Sequence, residues 1–395
     1  MNRNTVLQPE RKPLAILCIL AVLALLWATL WPFNPHPKNE VAWLPDANGI
    51  RFGYGGVAFT QTALRPQPGT AAATGCAIEM LLSPATNDDK ATTILTFSAE
   101  NNPEGVTLRQ WRSNLLVFRT SRGGPLKGEL AESDIFGILQ TKRFVLVTIS
   151  SGPQGTTFYA DGKGVSEAPR FRVLPTDLYR QIVMGSSPTN FQSWQGQVRG
   201  LAVYDTELTA AEVSAHYADW ITGDAVGTAT DAARRDHDLN HAVARYGFSE
   251  RSGGEVHSEV ASAPPITIPQ YFTLPRKPML DNPVNEFDAS KMWVRDVVDN
   301  IIGFMPLGFV LGGYFALSRS RGMAILVATL CGGFLSFTIE FLQYYIPRRG
   351  SGWTDVITNS TGTLLGALLA RPQLVWAALR LVNLVPSKKR REATG

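Results

Sequence analysis

Near its carboxyl end this chain of 395 residues sets a group of polar side chains inside or against apolar sequence: Asp299, Asn300, Glu340, Gln343, Arg348, Arg349, Asp355 and Asn359. Carboxylates of this kind can act as a general acid or base, and a guanidinium can grip a phosphate or a carboxylate. Left facing lipid, a charged side chain costs about 2.5 to 3.5 kcal/mol even on lenient insertion scales. These groups therefore need partners or a water-lined site. Glu340 lies nearly two turns inside its apolar run, and an intramembrane acid is by default a functional candidate. The plainer alternative is that Asp299, Asp355 and Arg348 only mark the membrane surface, where charge is cheap. The set includes no Ser, Cys or His nucleophile arrangement and no metal-ligand spacing. The reading thus leans against an enzyme, and no cofactor or metal is expected.

The elements that must position these groups are apolar segments at the two ends of the chain. Residues 14–33 form a first transmembrane helix, without the small-residue site at which a signal peptide is cut. Three further helices are expected at 297–317, 323–346 and 355–370, about four in all. On the second of these late helices Gly332, Ser336, Glu340 and Gln343 recur at steps of four, four and three, which makes one face. On the third, Asp355, Asn359, Gly362 and Gly366 do the same. Pro306 falls inside the first and should kink it. Basic residues at Arg3, Arg11 and Lys12, at Arg319 and Arg321, and at Lys388 to Arg391 flank the apolar segments. The positive-inside bias then puts both termini in the cytoplasm and everything from residue 34 to about 295 outside. All three polar patches should meet at the outer leaflet, beneath that middle region, within reach of Arg295.

The middle reads as short strands rich in β-branched and aromatic residues, such as CAIEMLL, ATTILTF, NLLVFRT and RFVLVTIS, separated by turn signals. Asp161-Gly162 suits a tight hairpin. Thr209 with Glu212 forms a capping box that opens a short helix. The fold expected is an all-β antiparallel jelly-roll sandwich. Cys76 is the one thiol in that region, with Cys18 and Cys331 in the apolar runs, so no disulfide staples it. Trp111 and Trp194 are candidates to stack on sugar rings, against the simpler reading that they are core. Asn87-Asp88-Asp89 is read as a solvated turn rather than a calcium loop. The net charge of +4 gives no case for nucleic acid.

The segment WQGQVRGLAVYDTELTAAEVSAHYADW, with ARYGFSERSGGEV, resembles the closing part of concanavalin A-like, laminin G-type jelly rolls. The late pieces RDVVDNIIGFMPLGF, IEFLQYYIPRRG and DVITNSTG resemble the VanZ-like membrane family, and TLWPFNP resembles its first helix. By that resemblance Asp299, Asn300, Glu340, Gln343, Arg348, Asp355 and Asn359 are signature positions whose roles the family leaves open.

The chain is thus expected to be a multi-domain membrane protein. Its order would be a cytoplasmic amino terminus (1–13), the first helix (14–33), the extracytoplasmic sandwich (36–275) and a connector (276–295). VanZ-like helices (296–372) follow, then an interfacial helix with a basic cytoplasmic tail (373–395). The resemblance implies a bacterial plasma (inner) membrane protein of the cell envelope, of exopolysaccharide biology or of the glycopeptide-antibiotic response. Expected partners are the lipid bilayer, an envelope polysaccharide or lipid-linked glycan, and another membrane protein. The alternatives are an intramembrane enzyme acting on a lipid-linked glycan, and a scaffold that docks a protein partner.

Overall fold

The computed structural model describes residues 11–66, 73–120, 130–222, 241–287 and 291–381. The basic groups at Arg3 and at Lys388, Lys389, Arg390 and Arg391 lie outside the described residues. The chain divides into two compact units. One is His36–Lys277, and the other joins Met1–Pro35 to Pro278–Gly395.

The unit His36–Lys277 is an antiparallel β-sandwich. Its first sheet runs in the order β1 (Val41–Trp43), β2 (Ile50–Phe52), β13 (Gly196–Tyr204), β4 (Cys76–Pro84), β9 (Val145–Gly152), β10 (Gly155–Ala160) and β11 (Lys163–Ala168). The strand β14 (Ala242–Tyr246) also pairs with β13. The second sheet runs β15 (Glu255–Val256), β16 (Ile266–Thr267), β3 (Ala58–Thr60), β12 (Gln181–Met184), β5 (Thr92–Ala99), β6 (Asn102–Trp111), β7 (Asn114–Thr120) and β8 (Leu130–Ile135).

Alternation along β4 explains why CAIEMLL is nearly continuous in apolar residues. Cys76, Ile78, Met80 and Leu82 face the inter-sheet core with Phe97, Leu108, Val147 and Trp194. Ala77 faces the other way, into a second cluster with Tyr204, Leu208 and Val213. That cluster forms because helix α3 (Ala210–Thr222) lies over the outer face of the first sheet. A strand covered on both sides carries apolar residues on both. Helix α3 is opened by the expected capping box: Glu212 Oε2 accepts Thr209 N–H at 2.7 Å, and Glu212 N–H reaches Thr209 Oγ1 at 3.3 Å. At the hairpin between β10 and β11, Asp161 and Gly162 both take positive φ, 51° and 76°. That is the backbone a two-residue primed turn needs. A single-turn helix α2 (Pro175–Leu178) precedes β12.

The other unit is helical. It consists of α1 (Arg11–Leu30), a short α4 (Pro283–Glu286), α5 (Lys291–Phe315), α6 (Arg321–Tyr344), α7 (Trp353–Leu369) and α8 (Pro372–Leu381). Three of these, α1, α5 and α6, are long and apolar enough to cross a membrane. A fourth span is present if α7 and α8, which bend by 96° at their junction, count as one. Pro306 sits inside α5, which continues through it. Within 276–295, the segment expected as a connector, lie α4 and the first turn of α5.

The buried face of α6 is Ala324, Ala328, Gly332, Ser336, Ile339, Glu340 and Gln343. The buried residues of α7 include Asn359, Gly362, Thr363 and Gly366. A Cβ at Gly362 would overlap the carbonyl of Ile301, and one at Gly366 the carbonyl of Met305, so α5 and α7 touch backbone to backbone. Lipid supplies no hydrophobic drive for helices to associate, so this close approach, with its dense van der Waals contact, has to hold them together.

Candidate functional site

The polar side chains gather at one end of the helical unit, where α1 and α6 finish and α7 begins. Gly352 is the N-cap residue of α7 and has no side chain with which to cap. The first amides of a helix lack internal partners, and here two acids from elsewhere take them. Glu340 Oε2 accepts Gly352 N–H at 3.0 Å, and Glu286 Oε2 accepts Thr354 N–H at 3.0 Å. Both carboxylates thereby sit where the helix dipole favours negative charge. Glu340 is 2% exposed, so its hydrogen bonds replace water it cannot reach. Its own carbonyl accepts Ser351 Oγ–H at 2.9 Å. Ser351 also binds the strand-like segment before α4: its Oγ accepts Leu280 N–H and its carbonyl accepts Asp281 N–H.

The amides work in the same manner. Gln343 Nε2 donates to Thr29 O at 3.1 Å, satisfying a carbonyl in the last turn of α1. Arg349 donates to Trp31 O at 3.0 Å just beyond it. Asn300 Nδ2 on α5 donates to Asp355 Oδ1 on α7 at 2.7 Å. Asn359 Nδ2 donates to Ser336 Oγ at 2.9 Å, a buried bond between α7 and α6. Asn359 Oδ1 and Thr354 Oγ1, both on α7, are buried without a hydrogen-bond partner among the described residues.

Asn300, Glu340, Gln343, Arg349, Asp355 and Asn359 are therefore brought to one end, tying four helices. Asp299 stands apart: it is exposed and pairs with Arg295 one turn earlier at 3.4 Å. Arg348 is exposed on the loop that carries Arg349. Glu286 is a member that the sequence reading missed. Its carboxylate belongs to a short helix in a segment that reads as a proline-rich connector.

In the sandwich, Trp194 is 1% exposed, with Nε1 donating to Gln110 Oε1 at 2.7 Å. Its ring packs against Phe52 in the core and turns no face to solvent. Trp111 is 37% exposed; its Nε1 donates to Asp89 O, and Arg112 lies over its ring at 5.3 Å. Asp89 accepts from Arg112 at 2.7 Å, in keeping with a solvated turn.

A buried acid that the sequence hides within CAIEMLL is Glu79, 0% exposed on the outer face of β4. Its carboxylate accepts Thr148 Oγ1, Tyr204 Oη and Trp220 Nε1 at 3.1 to 3.3 Å, and lies 3.1 Å from His216 Nδ1. Burial pushes the thiol of Cys76, on the opposite face of the same strand, well above its usual range, so it stays an inert core group. Among the described residues no cluster of three metal-ligating side chains occurs.

In sequence the sandwich separates the first helix from the later ones, and three of these helices are long and apolar enough to cross a membrane. Residues 253–377 match the VanZ/LLP1 family model, and residues 53–214 match that of the concanavalin A-like lectin/glucanases superfamily. The chain thus combines a VanZ-like helical region with a concanavalin A-like domain. No curated protein matches the chain. Solved structures similar to it include binding domains of botulinum neurotoxins. One is the serotype D ligand binding domain in complex with N-acetylneuraminic acid, at 14% identity over 46% of this chain and 45% of that one, TM-score 0.35. A second is the receptor binding domain of neurotoxin D, at 15% identity over 46% and 48%, TM-score 0.35. A third is the neurotoxin DC binding domain in complex with rat synaptotagmin II, at 11% identity over 46% and 46%, TM-score 0.33. The chain spans less than half the length of those chains, and a likeness so slight carries no argument about ligands.

Proposed function

We propose that this protein is a bacterial inner-membrane component of the cell envelope whose sandwich holds a glycan outside the cytoplasm, while its helical unit anchors it at the outer leaflet. The observation that carries this reading is the bonding of the polar cluster. Glu340, Glu286, Gln343 and Asn300 are engaged in closing helix ends and linking helices. Groups fixed in this way support assembly and recognition better than proton transfer, which needs an acid or base within reach of a reacting atom. Arg295, Arg348 and Arg349 are exposed at that same end, a placement suited to anionic lipid headgroups or a partner's acidic groups. Arg11 at the start of α1, Arg319 between α5 and α6, and Arg321 at the start of α6 favour cytoplasmic positions for those ends. The sandwich then lies outside.

The test uses the full chain in lipid nanodiscs, offered immobilised polysaccharides purified from bacterial envelopes, both exopolysaccharide and peptidoglycan. Retention on at least one, released by the same polysaccharide in solution, is expected. Elution from every one of them together with empty nanodiscs would remove the glycan-holding role.

A further inference from the structure

Beside Glu79 the sandwich carries a cavity of about 370 Å³ on the outer face of its first sheet, under the end of α3. That is the size of a small-ligand site. Two guanidinium groups line it, and each sits over an aromatic ring: Arg199 Cζ 4.1 Å from the centre of Phe144 and Arg245 Cζ 4.3 Å from that of Trp220. Their electrostatic situations differ. Arg245 sits 3.2 Å from the carboxylate of Glu259. Arg199 has no carboxylate partner among the described residues, and the Nε atoms of both arginines are buried without a hydrogen-bond acceptor there, so what sets Arg199 apart is the missing counter-charge. A desolvated donor on a cation is costly to leave unmet.

The wall beside these arginines is rigid. Trp220 Nε1 is fixed by the buried Glu79, and its ring presses on Gly200, where a Cβ would overlap it. Beside apolar Leu81 and Ile221, the lining offers groups of the kind that sort hydroxyls: the carboxylates of Asp219 and Glu259 and the carboxamide of Asn48.

We propose that this cavity is a subsite for one acidic sugar unit, a pyranose bearing an oxyanion. The carboxylate or phosphate of that unit meets the planar fork of Arg199, and its hydroxyls bond to Asn48, Asp219 and Glu259. Arginine is the residue suited to such planar, two-point contact, and stacking on Phe144 holds its fork in position beforehand. This rests on the reading of the sandwich as a glycan-binding module and specifies which sugars that module selects.

The full chain in nanodiscs is titrated calorimetrically with three probes: an oligoglucuronate, the same oligosaccharide with its carboxyls reduced to alcohols, and glucose 6-phosphate. The expected result is binding of the first or the third, which identifies carboxylate or phosphate as the oxyanion, and about tenfold weaker or no binding of the reduced form. Arg199→Gln should lose about tenfold or more in affinity while unfolding at the wild-type temperature. Arg199→Lys, which keeps the charge but not the fork, should fall between them. Three outcomes overturn the subsite: measurable and equal binding of the charged and reduced oligosaccharides, affinity unchanged in Arg199→Gln, or no binding of either anionic probe. If polysaccharide retention persists in Arg199→Gln, the glycan-binding role stands and only the acidic-sugar subsite is lost. Absence of retention in the wild type defeats the broader role itself.

Discussion

Glu340 and Glu79 show two ways of burying a carboxylate. Glu340, near the end of α6, places its carboxylate at the start of α7, where it accepts the backbone N–H of Gly352. Substituting alanine leaves that amide without an acceptor, which costs about 1 to 3 kcal/mol for a buried group. Glutamine retains an acceptor oxygen. Glu340→Ala should therefore lower the thermal unfolding temperature of the detergent-solubilised protein markedly, and Glu340→Gln should lower it less. Equal losses would mean that the charge, rather than the hydrogen bond, holds the helix start. Glu79 serves donors from β9, β13 and α3 at once. Removing the carboxylate leaves those buried donors unmet, at about 1 to 3 kcal/mol each. Glu79→Ala should accordingly unfold the sandwich at much lower denaturant than Trp111→Ala, where an exposed ring is lost, as read by intrinsic tryptophan fluorescence.

At the scale of elements, the helices were more legible than the strands. The stripe Gly332, Ser336, Glu340, Gln343 is the buried face of α6 because a 3.6-residue period maps directly onto one side of a cylinder. Thr209 with Glu212, and Asp161 with Gly162, were readable because caps and turns are local chemistry. Strand order is not local. The strand β13 enters the first sheet between β2 and β4, and alternation tells a strand which face to bury but not which neighbour to pair with. For the same reason the partners of Glu79 stayed hidden, since His216 lies 137 residues further along the chain. The helix stripes also predict where packing fails. Gly362→Leu or Gly366→Leu would drive a side chain into the backbone of α5. Gly322→Leu, at the start of α6, meets open space. The first two variants should run as aggregates in detergent gel filtration, whereas Gly322→Leu should elute with the wild type. In the sandwich, Thr209→Ala removes the hydroxyl of the capping box and should cost about 1 kcal/mol of stability, measurable by chemical denaturation.

For the whole molecule, the consequential quantity is the side of the membrane on which the sandwich lies. The apolar helices accommodate either orientation; the charges decide between them. Arg11 and Lys12 open α1, Arg319 lies between α5 and α6 and Arg321 opens α6, so one orientation keeps both groups in the cytoplasm. The native thiols leave a low background for testing this with a membrane-impermeant maleimide. Cys76 is buried and its thiol is pushed up by burial, while Cys18 and Cys331 lie within α1 and α6. A cysteine at exposed Lys90 in the sandwich should be labelled on intact spheroplasts. One at exposed Ser318, between α5 and α6, should be labelled only after the membrane is permeabilised. The reverse pattern would turn the sandwich to the cytoplasm. Envelope polysaccharide would then be out of its reach, and the polar end of the helices would face the inner leaflet.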